Sequence, residues 1–551
     1  MDTQRRILFA FLICIGIWLV FQQFAPPPPP PESQDAAVTA EDETKKTKKE
    51  QDEPASDRES SPATPGAPRQ EGTVKGEKLA LELVNVEDDG VLRRARLLDR
   101  QFQDDAGEAL DILGLGDATT FAITFARDDT DFKTPPHDGW EVVESGPAAW
   151  EVRHVSDEVE VISRLTLGDG YEGLWKVKVI NRSVTRQRHR LAVQSRFGGA
   201  SLEDRYDIHR GLCAQAEEVS DFDAEDVKED RPQVNGDIQW LALDGKYFAS
   251  ILVPREPAQS CSLEIDADDA NLMVGGLGFR KIELETGESQ SYEFGLYLGT
   301  KEIERLEGYA EVSGRGLERA VDWGFMGGLN SFIGRPLLSL LRWFYGLTGI
   351  WGVAIILLTV VVRLLVLPLT LKQMASARKM REIQPEVKRL QEKYKEDKVR
   401  MTQEMQALWK REGVNPLAGC LPLLIQMPIW FALYSMLGTV VELYREPFLW
   451  LPDLSAKDPL YVLPIALGGL MVLQFKVQPT PMDNQQAKMM AYLMPGVFTV
   501  MMLFLPSGLG VYIFASVLLS LVQTLIQVRP WSKTEKENKS EGASTKKNEK
   551  R

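Results

Sequence analysis

Histidine and cysteine are scarce in this chain, with four of each among 551 residues. His137, His154, His189 and His209 are scattered, and no Ser/His/Asp or paired-carboxylate spacing accompanies them, so no catalytic constellation stands out. Cys14, Cys213, Cys261 and Cys420 lack metal-ligand spacing. Cys14 and Cys420 lie in apolar segments; a Cys213–Cys261 disulfide is open outside the cytoplasm, and the sequence leaves its formation undecided. No Walker-type glycine loop is present, so no nucleotide site is expected. These absences argue against an enzyme, a cofactor or a bound metal. Aspartate and glutamate, 79 in all, are missing from every long apolar run. The net charge of -15 therefore says little about partners: residues 372–412 carry 12 Lys/Arg against 7 Asp/Glu, residues 529–551 are also basic, and most of the negative charge lies between residues 25 and 349.

What the chain does have is long hydrophobic stretches. Residues 349–371, GIWGVAIILLTVVVRLLVLPLTL, are long enough to cross ~30 Å of hydrocarbon at ~1.5 Å per residue. One arginine, Arg363, sits well inside that span. About nine residues, or ~13 Å of helical rise, separate it from Lys372, roughly twice what an arginine side chain can reach. Thr359 and Thr370 fall on the same helical face.

The other segments follow from composition and period. Residues 1–24 place Arg5-Arg6 before ILFAFLICIGIWLVFQQF, read as an uncleaved signal anchor rather than a cleaved leader because the run is long and no small-residue cleavage site follows it directly, Val38-Thr39-Ala40 being distant. Residues 25–74 are a disordered, proline-rich linker. Residues 75–320 alternate with period two, with strands expected at Val159–Leu167, Leu174–Asn181, Ile238–Leu243, Tyr247–Val253 and Tyr292–Leu298: an antiparallel β-sandwich. Residues 321–348 read as an amphipathic helix at the membrane interface, with Trp323, Trp343 and Trp351 as an aromatic belt; a helix packed on the β domain is the other reading.

After the span at 349–371, residues 372–413 form a basic helical hairpin with a polar break at Glu396-Asp397-Lys398. It suits RNA, anionic lipid or an acidic partner, and equally a solvated face obeying the positive-inside rule. Residues 414–528 hold four further apolar segments, near 418–440, 460–475, 490–505 and 508–527. Residues 529–551 are a basic tail expected to be disordered. The fold class is thus a membrane protein: a six-span α-helical bundle, comprising a five-span core plus the signal anchor, with a large β-sandwich on the outer side. Both termini fall inside.

Polar groups inside the spans are placed on faces. Tyr512, Ser516, Ser520 and Gln523 recur at helical spacing, Gln426 lies between Pro422 and Trp430 in the third span, and Gln474 sits in the fourth span, near 460–475. Hydroxyls at such positions can simply join helix to helix. Arg363, with no acid in any other span, is not explained that way and implies access to water.

Asn415–Tyr434 (NPLAGCLPLLIQMPIWFALY), the single arginine of the second span, Phe504–Leu509 (FLPSGL) and the order of segments resemble the YidC/Oxa/Alb superfamily of membrane-protein insertases, Gram-negative type. The resemblance is strongest over residues 323–529. It implies a groove open to the cytoplasm and to lipid but closed toward the periplasm, with Arg363 as its charge and Thr359, Gln426, Tyr512, Ser516, Ser520 and Gln523 as its polar lining. It also implies substrate contacts at Trp430, Phe498 and Met501, and a periplasmic sandwich similar to sugar-binding sandwiches. The last span departs from the family in carrying Tyr512-Ile513 where an aromatic pair is usual. The expected partners are nascent membrane proteins, the Sec translocon, a ribosome or targeting receptor at the hairpin and tail, and membrane lipids; DNA is not among them. The expected location is the inner membrane, multi-pass, with residues 25 to about 348 periplasmic. Two competitors are a secondary transporter of an anionic solute, for which inverted repeats are missing, and a periplasmic carbohydrate enzyme on a membrane anchor.

Overall fold

A computed structural model describes residues 70–548 apart from 88–89, 104–106, 127–129, 137–138, 200–208, 325–326, 414–420 and 478–483. The expected signal anchor, nearly all of the linker, His137 and the start of the Asn415–Tyr434 motif lie outside the described residues.

Period-two patterning produces sheets. In Glu172–Asn181, Trp175, Val177 and Val179 are buried while Lys176 and Lys178 are exposed, the signature of a strand with one face on a core. Nine antiparallel strands run in the order Val219–Asp223, Arg210–Ala214, Trp240–Asp244, Phe248–Pro254, Ser289–Thr300, Glu172–Asn181, Val159–Leu167, Ala149–Val155, Trp140–Ser145. Five more, Gln233–Ile238, Ala258–Ile265, Met273–Gly278, Leu191–Phe197 and Ala122–Phe125, form the facing sheet. Trp150, Trp175, Trp240, Phe197 and Phe294 fill the core.

Of the expected strands, Val159–Leu167 has the bounds read from sequence. The stretch Ile238–Leu243 is instead two strands: Ile238 ends one in the five-stranded sheet and Trp240 opens another in the nine-stranded sheet. A register shift between Asn235 and Ile238, with Gly236 at φ 132°, bends the chain before it changes sheets. A Cys213–Cys261 disulfide joins the two sheets, with Cα atoms 6.1 Å apart.

Nine α-helices are described: α1 (Ala224–Asp230), α2 (Ile303–Ser313), α3 (Gly327–Thr348), α4 (Trp351–Lys393), α5 (Lys398–Arg411), α6 (Leu421–Thr439), α7 (Val462–Val477), α8 (Asn484–Met502) and α9 (Ser507–Asn548). Helix α4 continues unbroken past the expected boundary at 371/372, because the residues beyond Lys372 are strong helix formers. The hairpin turns where expected: the Asp397 carboxylate accepts the Arg400 N–H and opens α5. Helix α9 runs on to Asn548, so the expected disordered tail is helical instead. Its lysines and glutamates favour helix, and Glu535 precedes Lys539 by one turn.

Among the described residues, two stretches are long and apolar enough to cross a membrane: Trp351–Lys372 of α4 and Ser507–Gln527 of α9. Val462–Val477 and Tyr492–Met502 are apolar but shorter. Helix α3 buries Asn330, Gly334, Leu338, Leu341 and Phe344 along one face and exposes Leu329, Phe332, Trp343 and Leu347 on the other. Of the three tryptophans expected in an aromatic belt, Trp343 is exposed and the other two are buried. Trp323 is buried where only Gly334 leaves room, since a Cβ there would stand 2.4 Å from its ring. Trp351 is buried and stacked on Tyr345, with centroids 4.0 Å apart.

The connection between α6 and α7 ties the sandwich to the helices. Gln101 donates to the carbonyls of Val441, Glu442 and Tyr444, and Arg445 donates to the carbonyl of Gln103. The Tyr444 ring packs among Phe102, Tyr247 and Phe248. Arg342 of α3 pairs with Glu442 and with Glu304 of α2. Farther along, the carbonyls of Leu454 and Ala456 accept the N–H groups of Gly508 and Ser507, fixing the turn that starts α9.

Candidate functional site

Arg363 projects from α4 toward α9. Its Nε–H and one Nη–H both donate to the hydroxyl of Ser516, at 2.9 and 2.6 Å. Ser516 is buried and Arg363 half-buried. Among the described residues Arg363 makes no ion pair. The neighbouring turn of α9 brings Tyr512, also buried, with Ser516 and Gln426 of α6 beside its hydroxyl. One layer therefore joins α4, α6 and α9 through Arg363, Gln426, Tyr512 and Ser516.

The polar face of α9 extends this layer. Gln474 of α7 donates to Ser520 at 2.9 Å, and Gln523 donates to Thr370 of α4 at 3.0 Å. Spacings of four, four and three residues along α9 put Tyr512, Ser516, Ser520 and Gln523 on one stripe, and each meets a polar group from another helix. Thr359 is fully buried and donates to the Ile355 carbonyl of its own helix. Trp430 lies on α6, stacked on Tyr434 with centroids 5.8 Å apart and edge-on to Phe431. Phe498 and Met501 lie half-buried on α8, and Met501 packs against the apolar core. Among the described residues, neither hydrogen-bonds to Arg363 or Ser516.

A guanidinium has five N–H donors and no acceptor. Here two donors share one hydroxyl, so the positive charge is oriented and not neutralised. Burying such a charge costs several kcal/mol unless water or an anion reaches it. Chemically, such an arrangement can bind negative charge. Among the described residues no cluster of three His, Cys, Asp or Glu could hold a metal ion.

A second buried charge set belongs to the sandwich. Asp244 accepts Lys301 at 2.6 Å and Arg210 at 2.8 Å, and Arg210 also reaches Asp221 at 2.7 Å. Burial lowers the Lys301 ammonium pKa against the pull of Asp244 beside it. These pairs satisfy one another and join strand ends to the segment leading into α2. The docking residues Gln101, Tyr444 and Glu442 carry no sequence signal, because each is an ordinary polar or aromatic residue whose partner lies far away in the chain.

The family model describing the 60Kd inner membrane protein matches residues 343–535, and the model of the YidC periplasmic domain matches residues 79–340. The chain belongs to the YidC family. Similar proteins named membrane protein insertase YidC come from Anaeromyxobacter sp. (strain Fw109-5), 44% identical over 60% of this chain and 58% of that protein, and from Anaeromyxobacter dehalogenans (strain 2CP-C), 42% identical over 61% and 60%. The matched part of the chain spans about 60% of the length of these YidC relatives. A crystal structure of an active YidC insertase with its first transmembrane domain resolved aligns over 82% of this chain and 94% of that one, at 19% identity and a TM-score of 0.36. Both halves of the YidC architecture, the β-rich periplasmic domain and the apolar helices, are present here.

Proposed function

We propose that this chain is a membrane-protein insertase and chaperone, inserting and helping to fold newly made inner-membrane proteins, alone or beside the Sec translocon. The observation that carries the reading is Arg363: a cation in the middle of an apolar helix, oriented by Ser516 and without a carboxylate among the described residues. Its relatives' name, membrane protein insertase, supports the same activity.

In this reading the chain crosses the inner membrane six times with both termini cytoplasmic, and residues 25 to about 348 are periplasmic. The layer of Arg363, Gln426, Tyr512 and Ser516, continued by Ser520 and Gln523 and backed by Thr359, lines a hydrated groove that opens to the cytoplasm. Such a groove shortens the hydrocarbon path that the polar flank of a nascent segment must cross. Arg363 attracts acidic residues in that flank and lowers their desolvation cost by pairing. The apolar part of the segment slides along Trp430, Phe498 and Met501, an adaptable surface, and then partitions into lipid. Burial of that segment supplies the free energy, so no nucleotide is required. The basic hairpin of α4 and α5 and the tail receive the chain from a ribosome or targeting receptor.

A photoreactive amino acid at Trp430 or Met501 tests this. Nascent membrane segments are the expected cross-linked species. Capture of small anionic solutes alone would favour a transporter and end the insertase reading.

A further inference from the structure

One apolar surface at the sandwich end of the helices has no role in the reading above. Phe448 and Leu451 exchange two backbone hydrogen bonds, 2.8 and 2.9 Å long, closing a two-residue turn with Leu449 and Trp450 at its tip. Leu449 is 76% exposed at φ 56°; Tyr461 is 50% exposed at φ 55° and adjoins Leu460, which is 63% exposed. Left-handed backbone at a bulky residue is strained and persists only where the surroundings enforce it. Glycine or asparagine would normally occupy such turns. The strain here is spent on pointing leucine and tyrosine outward.

The two exposed segments form one surface because Asp458 binds both. Its carboxylate is buried; one oxygen accepts the Trp450 indole N–H at 3.3 Å and the Leu460 N–H at 3.1 Å, and the other accepts the Leu463 N–H at 2.7 Å. The same residue thereby secures the first turn of α7. With its N–H satisfied, the indole can lie in an apolar medium. The surface is continuous with Val462 and Ile465 on the exposed side of α7. Its level is fixed by Phe448, whose ring lies where a Cβ on Gly352, in the first turn of α4, would stand 2.1 Å away.

We propose that Leu449, Trp450, Leu460 and Tyr461 form a wedge seated in the outer leaflet of the bilayer, at the boundary between headgroups and acyl chains. The proposal rests on the membrane topology given above. Its occupant is lipid because the patch begins level with the outer end of one spanning helix and runs into the exposed flank of another apolar helix. Amphipathic rings with leucine belong at that depth. A wedge there anchors the connection that holds the sandwich, so the sandwich takes its position from the lipid surface.

Spin labels test the wedge in the full-length protein, reconstituted in phosphatidylethanolamine–phosphatidylglycerol vesicles. Cys14→Ser and Cys420→Ser remove the two other cysteines and leave Cys213–Cys261 intact. Single labels are placed at Leu449 and Tyr461, at exposed Lys457, and at Leu365 on the exposed side of α4 as a reference for lipid. Expected is a collision rate with oxygen above that with a soluble nickel chelate at 449, 461 and 365, and the reverse at 457. Nickel-dominated collisions at 449 and 461 with oxygen-dominated ones at 365 would overturn the wedge and leave the topology standing. Nickel dominance at 365 as well would overturn the topology itself. Dipolar broadening at 449 would assign the patch to a second copy of the chain, also against the proposal.

Discussion

At Arg363 two of five donors converge on a single Ser516 oxygen, and the remainder of the guanidinium is available to an incoming carboxylate. The sign of the charge then matters more than its shape. Arg363→Lys keeps a cation near Ser516 and is expected to retain insertion of substrates with acidic translocated tails. Arg363→Glu repels the same tails, and loss of one partly hydrated charge pair, about 1–2 kcal/mol, corresponds to roughly tenfold slower insertion. A reconstituted insertion assay comparing the two decides the matter, and equal rates would remove the charge from the mechanism. A different residue controls acid sensitivity. His189 is fully buried, its Nε2 bonded to the Tyr292 hydroxyl at 2.9 Å and its Nδ1 without a partner, and burial pushes its pKa down to about 4. The unfolded chain takes up this proton near pH 6.5 and the folded chain only near 4, so stability falls as pH drops through that window and is level above it. The loss approaches about 3 kcal/mol at pH 4, and His189→Gln should flatten the pH dependence of the thermal midpoint across that range.

Elements were legible in proportion to how local their cause is. The alternation through Trp175, Val177 and Val179 and the polar break before Lys398 were readable because neighbours in sequence enforce them. The same holds for the arginine in an apolar run. The change of sheets at Gln239 was not, because it depends on a bulge whose partner strand, Ala258–Ile265, lies about twenty residues on. Nor was the helical tail, where low hydrophobicity suggested disorder while propensity and charge spacing favoured helix. The polar stripe on α9 was visible as a stripe; which group each member meets came only from packing. The disulfide belongs to this scale too. Cys213 and Cys261 connect the two sheets across a separation of 48 residues, so the bond limits how far the unfolded chain can expand. Cys213→Ala with Cys261→Ala is expected to cost about 2–4 kcal/mol. Denaturant unfolding of the oxidised protein, the reduced protein and the double variant checks this, and the reduced protein should follow the variant.

For the whole molecule the decisive feature is the α6–α7 connection, which touches both the sandwich and the helical bundle. Gln101 binds three carbonyls of its backbone, Tyr444 enters the ring cluster of Phe102, Tyr247 and Phe248, and Arg342 links Glu442 to Glu304. Leu454 and Ala456 then hold the first turn of α9, the helix that carries Ser516. Coupling between the two parts should therefore pass through a few side chains rather than a broad surface. Removing the half-buried Tyr444 ring is expected to cost about 2–4 kcal/mol, and Gln101→Ala about 1 kcal/mol more for hydrogen bonds lost together. The consequence is a change in cooperativity as well as in stability. Calorimetry of the full-length protein in detergent should show the sandwich and the bundle melting together in the parent and separately in Tyr444→Ala with Gln101→Ala. The separated sandwich transition should retain the pH dependence that His189 confers, since His189 lies among Phe125, Phe132 and Tyr292, away from the connection. A single transition persisting in the double variant would mean that the two parts are joined by contacts other than this connection.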